Sequence, residues 1–162
     1  MPDPVIYKKW AEQLGIPKEV YERVDSVLDR VIEKYKKEIS LFSDGTKTMP
    51  LEEIEQLANL MLSDVIGEFM KELGELKKDA LTTILTAVNL YQFLTAVEER
   101  IAEIEPVEVE EHLEELMTSC IDLPPIPLFH HPIARTVRES MMFQINLRFR
   151  EIVNDIAESI RK

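Results

Sequence analysis

Glycine is scarce in this chain of 162 residues, with four copies, and cysteine is scarcer still, with one. The lone thiol, Cys120, excludes an internal disulfide framework, and it fits a reducing compartment, most simply the cytoplasm. Asn and Gln number four each while Glu and Lys are plentiful, a balance that leans toward a heat-adapted source. Residues 1–10 lack the positive n-region and apolar core of a secretory signal. Positive charge is also in short supply: 19 Lys and Arg face 31 acids, for a formal charge of −12. Such a surface repels phosphate backbones, which argues against nucleic acid as a partner and in favour of basic proteins or cations.

What the chain does have is glutamate. The acids are 23 Glu against 8 Asp, a preference for the residue that tolerates helix interiors over the one that favours caps and turns. With the shortage of glycine, this predicts helix almost everywhere. A length of 162 residues suits one domain, 1–162, that buries about two-thirds of the surface of its unfolded chain.

Six segments carry helical signals. Asp3-Pro4 reads as an N-cap and first helical residue, and Ile6, Trp10 and Leu14 follow before Gly15. Pro17 opens a second helix of about 25 residues whose apolar band, Val20 to Phe42, is too wide for one partner. Ser43–Met49, centred on Asp44-Gly45, predicts a turn, and Pro50 with Glu52 and Glu53 starts a third helix. Gly67 within it predicts a close helix crossing, and Gly74 a bend or an end. Asp79 begins a fourth helix in which Ala87, Leu90, Leu94, Val97, Ile101 and Ile104 alternate spacings of three and four. Its stretch Ala80–Val97 has no charge, yet Thr82, Thr83, Thr86, Asn89, Gln92 and Thr95 suit a buried helix better than a membrane span. Pro106 predicts a fifth helix to about Ile121, Leu123–Pro132 an extended connection, and Pro132 a last helix to the C-terminus. The expected fold is all-α, a single-domain bundle of five to six helices with the third and fourth at its centre.

Few residues combine into chemistry. Residues 103–115 hold seven Glu around His112, and Glu108 and His112 share one helical face with Glu115 a turn later. That spacing can place metal ligands together, but the Glu-x-x-His pairs of di-metal bundles are missing, so a solvated acidic face is expected and no metal. Five of the eight arginines lie in the last helix, where six cationic side chains against four anionic ones give residues 132–162 a charge of +2, leaving −14 on the rest. His131, Arg135 and Arg138 crowd the start of that helix, where the macrodipole disfavours cations, so something negative is required. Either Glu139 and carboxylates of the fifth helix supply it, or His130, His131, Arg135 and Arg138 hold a bound anion.

The third helix also carries Glu52-x-x-Glu55 and Glu72-Leu73-Gly74-Glu75. These resemble the Glu-x-x-Glu and Glu-Leu-Gly-Asp motifs of the all-α nucleotide pyrophosphatases of the MazG type, with Glu75 where that family has Asp. The resemblance covers about 25 residues, and it implies Mg²⁺ held by clustered acids for attack by water on a nucleoside triphosphate. Gly45-Thr46-Lys47-Thr48 lacks the order of a phosphate-cradling loop, and Pro124-Pro125-Ile126-Pro127 is expected to be a stiff connection. No convergent catalytic set emerges, and no cofactor is expected. The leading expectation is a non-enzymatic interaction or scaffold module, self-associating as a homodimer and presenting an acidic surface to a protein partner. A Mg²⁺-dependent pyrophosphatase is the alternative.

Overall fold

The computed structural model describes residues 1–44 and 49–161, and among them it is all-helical with no strand. The predicted turn at 43–49 and the Gly45-Thr46-Lys47-Thr48 segment lie largely outside the described residues. Helix α1 is Pro4–Gln13, capped by Asp3, whose Oδ1 accepts from the N–H groups of Val5 at 2.9 Å and Ile6 at 3.3 Å. The same Asp3 accepts from the Ser159 hydroxyl at 2.6 Å through Oδ2, while Asp155 receives Lys9 Nζ at 2.7 Å and Trp10 Nε1 at 3.1 Å. The two ends of the chain are thereby fastened together.

The expected long second helix is three pieces: α2, Lys18–Tyr21; α3, Val24–Lys34; and α4, Lys36–Asp44. The width of its apolar band explains the breaks. Val20 and Tyr21 turn toward α1 and the central helix, whereas Val24, Val27, Leu28 and Val31 run between that helix and the next. β-branched residues, with their low helix propensity, make the interruptions inexpensive. Tyr35, at the second break, donates to Asp64 Oδ2 at 2.6 Å and so holds this segment to the following helix.

That helix, α5, spans Leu51–Leu73 and ends at Gly74, where a φ of 74° stops it. Gly67 does not mark a close crossing, because a Cβ built there would meet nothing within 4 Å. Gly67→Ala is therefore expected to raise stability by about 1 kcal/mol through helix propensity and reduced unfolded-state freedom. A higher urea midpoint with an unchanged slope checks this.

Helix α6, Ala80–Ala102, is the spine, with Ile84, Leu85, Ala87, Val88, Leu90, Phe93, Leu94 and Val97 fully enclosed. By length and composition it could cross a membrane, but half of its most apolar window is buried against the rest of the fold. It touches α1, α2 and α3 together with α7, Leu113–Ile121; α8, Pro132–Asn146; and α9, Phe149–Arg161. The third expected helix does not share this central place. α5 packs on α3 and on a 3₁₀ turn, Pro127–His130, whose Pro127, Leu128 and Phe129 are buried where an extended connection was expected. The fifth segment begins as two 3₁₀ turns, Pro106–Glu108 and Glu110–His112, before α7 forms, and the last breaks at Leu147-Arg148. Five to six expected helices thus become more and shorter ones around a single hydrophobic cluster.

Tyr7 sits in that cluster and donates its hydroxyl to the Ala87 carbonyl at 3.1 Å. Burial pushes its pKa up, with the neighbouring Tyr91 adding to the effect. A raised folded-state pKa on an acid means stability that is present below the unfolded value and lost as pH rises above it. The stability advantage of the native protein over Tyr7→Phe is thus expected to shrink above pH ~10, by up to about 1.4 kcal/mol per pH unit. Urea unfolding of both proteins at neutral and alkaline pH measures that difference.

Candidate functional site

The acidic segment is open to solvent. His112 bridges two of its carboxylates, with Nδ1 at 3.1 Å from Glu115 and Nε2 at 4.0 Å from Glu108, so the expected one-face arrangement forms. No group of three metal-binding side chains occurs among the described residues. Part of this acidity is answered by the last helix, since Arg150 pairs with Glu110 and Arg161 donates to the Pro106 carbonyl at 3.0 Å. Glu105, Glu111 and Glu114 stay exposed without a cation among the described residues.

The two carboxylate motifs of α5 are not brought together. Glu52 and Glu72 are twenty residues apart on one helix, a separation of about 30 Å. Glu72 is engaged by Arg23 at 2.9 Å and Arg30 at 3.3 Å, and Glu68 by the same Arg30 at 2.9 Å. Arginine therefore engages both carboxylate oxygens of Glu72, one of the four motif acids.

The four residues named for an anion are separated in use. His130 Nε2 donates to the Pro124 carbonyl at 3.0 Å, and its ring meets Phe42 edge-on. His131 is the N-cap of α8: its Nδ1 accepts from the Ile133 N–H at 3.1 Å, while Nε2 lies 2.8 Å from Asn59 Oδ1. An accepting Nδ1 requires the neutral ring, and burial lowers its pKa in the same direction. The helix start thus has a neutral cap, His131, and not a third cation.

Arg138 is buried, 3% exposed, and among the described residues its hydrogen-bond acceptors are side-chain amides and backbone carbonyls, with no carboxylate. Its guanidinium donates to Gln92 Oε1 at 2.7 Å, the Cys120 carbonyl at 3.2 Å, Asn89 Oδ1 at 3.3 Å and the Asp122 carbonyl at 3.5 Å. The last carbonyls belong to the C-terminal end of α7, the negative end of its dipole. The fifth segment does compensate the arginine, through backbone carbonyls and not through its glutamates. Asn89, itself fully buried, donates back to the Leu85 and Ala134 carbonyls at 2.8 and 3.3 Å. Cys120 is buried beside this network, and desolvation pushes its thiol pKa up, which suits an inert packed thiol.

No protein-family model, curated protein or solved structure matches the chain.

One face stands out by having no charge. Along α8, Ile133, Thr136, Ser140, Phe143, Gln144 and Leu147 fall on one exposed stripe, with Phe143 79% and Leu147 84% exposed. Beside it lies a groove of about 430 Å³ between Leu14–Ile16, the threonines Thr82, Thr83 and Thr86 of α6, and Thr136, Ser140 and Gln144 of α8. None of the groove's residues is ionisable. Sequence reasoning missed this face because it followed the buried stripe of the last helix. Its signal was an apolar pair one turn apart, Phe143 and Leu147, lying off the line of Val137, Met141 and Ile145.

Proposed function

We propose that residues 1–162 form one domain, a non-enzymatic interaction module of the cytoplasm that works as a homodimer. A second copy docks on the uncharged α8 face. The observation that carries this reading is the nearly full exposure of Phe143 and Leu147, one turn apart, on a stripe without an ionisable group. A chain of charge −12 repels its own copy, and at physiological salt that repulsion is felt within about 8 Å of contact. Two identical faces meet favourably only where neither carries charge, and a two-fold contact places each protruding Phe143 and Leu147 beside the partner's threonine-lined groove. Apolar side chains with uncharged polar neighbours give an interface core free of unpaired ions.

The exposed glutamates of 103–115 remain outside this contact, and they are the surface offered to a basic protein partner. Hydroxyl-radical footprinting at rising protein concentration tests the dimer face. Oxidation of Phe143 and Leu147 is expected to fall with concentration, while Leu51 and Val107, exposed on other elements, keep their rates. Equal, concentration-independent oxidation at all four positions would overturn the proposal.

A further inference from the structure

Helix α5 carries a cost that nothing within one chain explains. Gly67 stands mid-helix, where glycine costs about 1 kcal/mol against alanine, and a Cβ added to it would meet no atom within 4 Å. It lies on the side of α5 opposite the buried Leu57, Ala58, Met61, Leu62, Val65 and Phe69. Along that outer side run Gln56, Leu60, Ser63, Gly67 and Met70, at spacings of four, three, four and three, and none of them can carry a charge. Leu60 is 52% and Met70 49% exposed, so the stripe has an apolar residue on either side of its small centre.

Reversed end for end, the stripe complements itself. Ser63 with Gly67 and Leu60 with Met70 share one midpoint. Two α5 helices set antiparallel about a two-fold axis at that midpoint therefore place each Ser63 level with Gly67 of the second copy, and each Leu60 level with its Met70. Gly67 lets the backbones approach closely at the centre. The charges at the two ends also match. Glu52, Glu53 and Glu55, at the N-terminal end, are exposed and meet no cation among the described residues. Beyond the other end Lys71, Lys77 and Lys78 are exposed, and Arg23 and Arg30 hold Glu68 and Glu72, which leaves Glu75 and Asp79 against three lysines. An antiparallel pair brings each acidic end to a lysine-bearing one, with the helix dipoles opposed.

We propose that this stripe binds a second copy of the chain, antiparallel about that axis, so that dimers formed on α8 pair into an assembly of four chains. The count of four rests on the α8 dimer, whereas the α5 contact does not. A single helix face is a small contact, so it is the weaker of the two and acts on dimers, where a closed arrangement of four chains makes it twice.

Sedimentation velocity at rising concentration, with oxidative cross-linking of cysteine variants, tests the proposal. The native protein is expected to form a four-chain species above the two-chain one. Gly67→Lys, at a position with open space around it, is expected to weaken the four-chain species at least about tenfold and to spare the two-chain one, although it lowers the net charge that opposes association. In a mixture of Leu60→Cys and Met70→Cys proteins, mild oxidation is expected to join unlike chains. Two Leu60→Cys chains hold their thiols ten residues apart along the helix pair, about 15 Å, beyond the reach of a disulfide. Cys120 is buried and takes no part. The inference is overturned by an assembly that Gly67→Lys leaves unchanged, or by Leu60→Cys chains that cross-link with each other as readily as with Met70→Cys. A native protein that stops at two chains, separated by Phe143→Glu with Leu147→Glu, overturns it as well. A two-chain species lost in Gly67→Lys and kept in Phe143→Glu with Leu147→Glu upholds the α5 contact and removes the α8 one.

Discussion

The double substitution Phe143→Glu with Leu147→Glu is expected to leave the chain folded and to separate the two copies. Both side chains are nearly fully exposed in one chain, so their replacement removes little of its core. In a two-fold contact the pair of changes appears twice, setting four carboxylates into an apolar centre between bodies that already carry −12 each. At even about 1 kcal/mol for each carboxylate, the dimer weakens roughly a thousandfold. Sedimentation velocity with circular dichroism on the same samples reads both halves of this expectation. A dimer of unchanged affinity places the interface elsewhere.

Phe93→Ala is expected to have the opposite signature, a large loss of stability with no selective loss of association. Phe93 is fully enclosed on α6, and its ring lies 6.2 Å from that of Phe149, tilted by 58°. Truncation removes the buried ring and leaves a cavity at the meeting of α6 and α9, at a cost of about 3–5 kcal/mol. Native domains hold only about 5–15 kcal/mol in all, so a urea midpoint lowered by roughly a fifth or more is expected. A loss under 1 kcal/mol would mean that α6 is not the spine.

The sequence made α6 legible because its apolar residues cover most of its circumference, and a helix of that kind must be enclosed on most sides. Asp3 was equally plain, since a cap needs only a short acceptor before a proline. Straightness was not legible. The breaks at Arg23, Tyr35 and Leu147 occur without proline or glycine, where several apolar side chains must reach different neighbours, and only the packed whole decides that. Gly67 misled for a similar reason: glycine permits a close approach, but a neighbour has to be there.

At the sites, the sequence located the arginines and could not orient them. Arg135 and Arg138 are three residues apart, yet one is exposed and the other is buried. The signal was the line Ala134, Arg138, Met141 and Ile145, on which Arg138 occupies a core position. Its partners on α6, Asn89 and Gln92, were visible as polar residues in an uncharged helix, but nothing local linked them to a residue more than forty positions away. The two acid motifs of α5 illustrate the reverse case, a local pattern that a continuous helix holds apart.

Self-association is the claim on which the functional reading rests, and sedimentation equilibrium of the unaltered protein at neutral pH and physiological salt tests it most directly. A species of twice the 18.8 kDa chain mass is expected, dissociating on dilution. A single component at 18.8 kDa, unchanged to high concentration, would contradict it.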